Sequence, residues 1–263
     1  MLTFIQFDEW LSWIFPFIRA LSLLTLIPFV LSPVPMMVRI GLALFLGFIA
    51  MPMVPPIPAA TSLVGVGSLV AGEILCGALM GFAIMIVYQI AAAAGRFISQ
   101  EMSLMQSNLF NPASGTSEPL LSIPLGQLVT LMIFLTGAHY HLLYAFIRSF
   151  QIAPVGSGFL NEATVIYMMQ QSSAIFLVGA QMAAPFIAAN FIVVFAFSIL
   201  GRTVPSINVF MLSFPVRILV GFILLGATVT LMGRYLMQPV EATPERMLRM
   251  IYAPEAAQPL MTP

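Results

Sequence analysis

Charge is almost missing from this sequence. Asp, Glu, Lys and Arg make up 7% of its 263 residues, and lysine does not occur at all. A soluble domain gives roughly 25% of its residues to charge in order to solvate its surface. Most of this surface must therefore face lipid or other protein. The 9 basic residues are all arginines and they balance 9 acids. They gather into no basic stripe, which speaks against nucleic acid as a partner. Cysteine occurs once, as Cys76, which excludes an intramolecular disulfide framework and a cysteine-based zinc site. A small apolar packing residue is the simpler reading of it. The single aspartate, Asp8, is at the extreme N-terminus, so paired intramembrane aspartates are lacking. No serine nucleophile motif, phosphate-binding loop or dinucleotide fingerprint occurs. Neither catalysis nor a cofactor is expected. Asp8 and Glu9 also stand where a signal peptide would carry basic residues, so the first apolar segment is expected to be retained.

What is abundant is apolar: 60% of the residues are hydrophobic and the mean hydropathy is +1.05. A spanning helix needs about 20 largely apolar residues. Candidate segments run from Trp10 to Ile27, Met36 to Met51, Leu63 to about Ser99, Leu120 to Phe150, Ala163 to Leu200 and Pro215 to Met237. Prolines punctuate them, and proline removes a helical hydrogen bond. Interruption is expected at Pro185 and across 201–214, which holds Pro205. The expected fold is all-α, an integral membrane helical protein of long, kinked helices and helical hairpins with no soluble domain. Residues 1–237 read as one helical unit and 238–263 as a short C-terminal tail. In the tail Thr243 can cap a helix opened by Pro244. Arg246 and Arg249 there favour a cytoplasmic C-terminus, and Ala256 to Pro263 is expected to be poorly ordered.

Glu73 is the clearest anomaly, because it stands deep within an apolar run where a charge costs a few kcal/mol and normally faces protein or water. Gly77 and Gly81 follow at four and eight residues and share its helical face. They form a small-xxx-small pair that lets another helix approach closely. Glu73 therefore points at a helix–helix contact. A buried ion pair with an arginine of another helix is one reading, and proton or ion coupling is the other. A lone acid without a polar pathway makes a poor relay, which favours the first. His139 and His141 are two apart and share no helical face, so polar side chains near a bend at Gly137 describe them better than a metal site.

Methionine and phenylalanine are plentiful, at 19 and 22 residues. Met102, Met105 and Phe110 fall in a polar stretch with Gln106, Asn108, Asn111, Pro112 and Gly115. Soft apolar side chains mixed with amides suit a protein-walled cavity, where irregular backbone is tolerated at membrane depth. An interfacial loop dipping into lipid fits the same composition, and the residues alone do not separate the two.

Several stretches carry a resemblance. GEILCGALMGFAIMIVYQIAAAAGRFIS over 72–99 is similar to the FliR family of flagellar biosynthetic proteins and their injectisome relatives. So are PVPMMVRIGLAL over 33–44, LFNPASGTSEPLL over 109–121, GAHYHLLYAFIRSFQIAPVG over 137–156 and GRTVPSINVFMLSFPVRILVG over 201–221. Each is short; their shared order over nearly the whole chain makes the match. Asn111-Pro112-x-Ser114 looks more like the flagellar branch. Asn111 stands where such proteins often carry an acid, so no charge role is assigned to it.

The resemblance implies a subunit of the type III export gate in the flagellar basal body of the bacterial inner membrane. It implies a hetero-oligomer with FliP, FliQ and FlhB, in contact with lipid, through whose centre unfolded substrates pass. It also implies that not every apolar run is a conventional span. The segment from Met102 to Pro119 resembles the loop that helps close the pore. Arg202, Pro205 and Asn208 match a family motif whose role reads as subunit packing. Two other function classes stand beside this one. A proton-coupled transporter or small-ion channel also uses broken helices and one membrane acid, but repeat symmetry and converging polar residues are lacking. An intramembrane enzyme needs a nucleophile–base or metal pair.

Overall fold

The computed structural model describes residues 2–28, 34–55, 63–106, 119–156, 161–204, 206 and 208–252; the side chains of 2–12, 63 and 106 stand outside the description. The described residues form helices and no strand. In chain order they are α1 (Leu2–Leu26), α2 (Met36–Ala50), α3 (Leu63–Glu101), α4 (Ser122–Leu135), α5 (Ala138–Ile152), α6 (Glu162–Thr203), α7 (Val209–Glu241) and α8 (Thr243–Ile251). Short 3-10 turns follow α2 at Met51–Met53 and α3 at Leu104–Gln106.

Among the described residues four stretches are long and apolar enough to cross a membrane: Met36–Met53, Val64–Glu101, Glu162–Thr203 and Val209–Ile251. The broken pair α4 and α5 makes a fifth if it counts as one span. The apolar part of α1, Trp13–Leu26, is shorter. At 1.5 Å per residue the 39 residues of α3 rise about 58 Å, well beyond the roughly 30 Å of a hydrocarbon core.

The helix bounds differ from the sequence expectation at several places. The run expected from Leu120 to Phe150 is two helices, because Gly137 takes the left-handed conformation at φ 72, which a residue without Cβ adopts at no steric cost. By contrast α6 continues through Pro185 and α7 through Pro215. A mid-helix proline costs about 3 kcal/mol, but burial of Met182, Ala183 and Phe186 around Pro185 offsets it. Thr243 is the first residue of α8 and Ala242 its cap, with Pro244 in the first turn.

The chain forms two compact units, both built from discontinuous stretches. The first comprises 1–86, 133–172 and 241–263. In it α1 lies close on α2: a Cβ added at Gly47 would meet the Phe17 backbone nitrogen at 3.0 Å, and Trp13 and Phe48 pack with ring centroids 5.0 Å apart. The amphipathic α8 packs against α5. Thr243, Met247 and Met250 recur at helical spacing and are buried, while Glu245 and Arg249 pair on the outer face at 2.7 Å. Residues 253–263, including the tail expected to be poorly ordered, lie outside the described residues.

The second unit comprises 87–132 and 173–240. Its centre is the small-residue run Ala91 to Gly95 in α3. A Cβ at Gly95 would meet the Leu121 carbonyl and Ser122 Cα at 2.6 Å, and a Cβ at Gly179 of α6 would meet Ala93 at 3.1 Å. Ser122 Oγ donates to the Ala92 carbonyl at 3.1 Å, and Leu121 N–H donates to Ser99 Oγ at 3.1 Å.

Candidate functional site

In the first unit Glu73 sits on the face of α3 that meets α1. Its partner is Arg19, and both side chains are fully shut from solvent. The guanidinium grips the carboxylate in fork geometry: Nε donates to Oε2 at 2.6 Å and Nη2 to Oε1 at 2.8 Å. Nη1 donates to Ser149 Oγ at 3.0 Å and Nη2 to the Ala153 carbonyl at 2.9 Å, both at the C-terminal end of α5. The Phe150 ring covers the guanidinium at 4.1 Å from its centroid, within cation–π range. Arginine has five N–H donors, and these bonds engage four of them. A buried charge is tolerable only when so satisfied.

The glycine stripe lets this happen. A Cβ at Gly77 would run into the Arg19 carbonyl oxygen and would lie 2.8 Å from Ser22 Cβ. One at Gly81 would meet the Leu23 carbonyl and Leu26 Cβ at 2.8 Å. Ser22 Oγ donates to the Ile74 carbonyl at 2.6 Å. Residues 19, 22, 23 and 26 form one face of α1, so the two helices run backbone against backbone along the stripe. Side-chain length, not chemistry, fixes this contact. Gly77→Leu is therefore expected to force α1 away and break the ion pair, destabilising the protein by about 3 kcal/mol. Gly67→Leu on the same helix, where nothing lies within 4 Å of the added Cβ, is expected to be silent. Thermal midpoints in detergent distinguish them, and equal midpoints for the two variants would refute the close-packing role.

Arg19 is the residue that sequence reasoning missed. It carries the same signal as Glu73, a charge within an apolar run. Cys76, one turn beyond Glu73, is buried. The first unit also carries an apolar groove of about 640 Å³, lined by Leu26, Leu79, Phe82, Val165 and Met169.

In the second unit the stretch from Met102 onward leaves α3 and returns to α4 at one place, because Ser99 and Leu121 are hydrogen-bonded to each other. Met102 is buried at 1% exposure and packs on α7, where a Cβ at Gly221 would overlap its side chain. It fastens the start of the segment to α7, whereas Met105 is 38% exposed. Phe110, Asn111, Pro112 and Gly115 lie outside the described residues.

Of the remaining motif, Arg202 is exposed in the last turn of α6, at its negative end. Asn208 caps α7: its Oδ1 accepts the Met211 N–H at 3.2 Å, worth about 1 kcal/mol. Pro205 lies outside the described residues. His139 has its ring 4.0 Å from that of Tyr140. Among the described residues no three of His, Cys, Asp and Glu come together to hold a metal.

The family model for bacterial export proteins, family 1, matches residues 10–242. The chain belongs to that family. It is 28% identical to the flagellar biosynthetic protein FliR of Escherichia coli K12, over 87% of this chain and 89% of the relative. It is 32% identical to FliR of Bacillus subtilis 168, over 83% and 86%. To the Yop proteins translocation protein T of Yersinia pestis it is 31% identical, over 60% and 61%. This member of the FliR family is thus a component of the flagellar and type III export apparatus, embedded in a membrane by apolar helices. The match takes in both the Arg19–Glu73 clasp and the segment from Met102 to Pro119.

Proposed function

We propose that this chain is a non-enzymatic subunit of the flagellar type III protein export gate, which helps form and close the pore through which unfolded substrates pass. It does so in the inner membrane at the flagellar basal body, within a hetero-oligomer with FliP, FliQ and FlhB. The observation that carries this reading is the apolar surface that the chain does not cover for itself. In the most apolar stretch of α3 61% of the residues are buried within the chain, against 11% in α6 and in the run from Val209. Phe191, Phe195, Phe210 and Ile223 stand 60–70% exposed there. Exposed apolar patches of this extent mark membrane or protein interfaces. A family of export proteins supplies both. The flagellar branch is supported by relatives that align over most of their length, where the translocation protein aligns over three fifths.

The clasp supports assembly over ion coupling. Both oxygens of Glu73 accept guanidinium N–H groups, and both side chains are shut from solvent, so among the described residues no polar path leads to the carboxylate on this face. The transporter reading needs that carboxylate to exchange protons.

Affinity purification of the tagged chain in mild detergent tests the proposal. Co-purification of other small, hydrophobic export subunits in a large complex is the expected result. A monodisperse homodimer free of them would overturn it.

A further inference from the structure

The second unit holds a cluster of polar groups that neither the family membership nor the proposed pore uses. At the end of α3, Glu101 Oε2 accepts the Asn190 Nδ2–H of α6 at 2.5 Å. Two residues on, Ser103 has φ 59, the only positive φ outside glycine among the described residues. Serine pays a steric penalty there that glycine would not. The Ser103 Oγ accepts a long hydrogen bond, 3.4 Å, from Arg217 Nη1 of α7. Asn190 Oδ1 and Arg217 Nε are both shut from solvent and have no hydrogen-bond partner. Both residues line one small cavity of about 10 Å³ together with Glu101, Met102 and Gly221.

These observations fit together. One atom is an acceptor and the other a donor, and an unsatisfied buried polar atom costs about 1–3 kcal/mol. A cavity of about 10–15 Å³ is the least that holds one water molecule, which needs at least two polar partners. We infer that a buried water site here, bonded to Arg217 Nε and Asn190 Oδ1, completes a polar latch. Glu101, Ser103, Asn190, Arg217 and the water together pin the start of the segment from Met102 to Pro119 to α6 and α7. The left-handed Ser103 turn makes this end of α3 sensitive to the latch: without Arg217 the strained turn at Ser103 loses a hydrogen bond and opens more often. Its bearing on export rests on the gate reading above.

Hydrogen exchange on the assembled complex, followed in the peptide covering 99–106, tests the latch without reference to export. Arg217→Met and Ser103→Ala are each expected to speed exchange there by about tenfold, the equivalent of about 1.4 kcal/mol. Glu101→Gln, which keeps an acceptor for Asn190, is expected to stay near the parent rate. Peptides around Arg19 and Glu73 should not change. Unaltered exchange at 99–106 in both disrupting variants would overturn the latch. A structure of the complex tests the water: density within hydrogen-bond reach of both atoms supports the site, and a partner side chain in that place overturns it. If the latch behaves as described while deletion of the segment produces no leak, the gate reading falls and the latch stands.

Discussion

Glu73→Ala is expected to cost the folded protein about 3–5 kcal/mol, because it leaves the Arg19 guanidinium buried without a counter-charge. Two of its hydrogen bonds disappear and only Ser149 Oγ and the Ala153 carbonyl remain. Native stabilities lie at about 5–15 kcal/mol, so most of the recoverable chain should be lost. The pair itself is a different matter. Replacing both partners of a buried ion pair by apolar residues of similar volume is often neutral or stabilising. Arg19→Met with Glu73→Leu is therefore expected to restore folding and recovery of the complex to near the parent level. Yield and thermal midpoint after size exclusion provide the measurement. A double variant that assembles normally while export stops would contradict a packing role and revive ion coupling.

Glu73 was legible because an acid inside an apolar run, followed by glycine at four and eight residues, names its own helical face. Its partner was not. Arg19 lies 54 residues away, and nothing local says which arginine will meet which acid. Ser149 and the Ala153 carbonyl, which complete the clasp, belong to residue types with no signature at all. The prolines misled for a related reason. Proline reports a local cost, which the buried Met182, Ala183 and Phe186 offset at Pro185, and α7 likewise continues through Pro215. At Gly137 the expected bend is present, and it divides the run into two helices. The two units could not be read as domains, because each is assembled from discontinuous stretches and no linker composition separates them. Met102 and Met105 look alike in sequence and sit three residues apart, yet one is fixed against α7 and the other is exposed. Only the end of α3 and the Ser103 turn distinguish their surroundings.

The second large effect concerns the pore. The stretch from Asn108 to Ser117 contains no charged residue, and its root is closed by the Ser99–Leu121 hydrogen bond and by Met102 on α7. Such a stretch can be removed without touching either fastening, so the complex should still assemble. Apolar constrictions close pores by excluding water, and Leu109 and Phe110 are the large apolar side chains that this stretch offers. Without the segment the closed pore should admit water and, with it, ions.

Ion conductance across a membrane containing the complete export complex, with and without residues 108–117 of this chain, is the most direct measurement. A steady leak through the deleted form, absent from the intact complex at equal assembly, is the result expected of a subunit that closes the pore. Equal, negligible conductance from two fully assembled complexes would contradict it and leave the segment an ordinary connector.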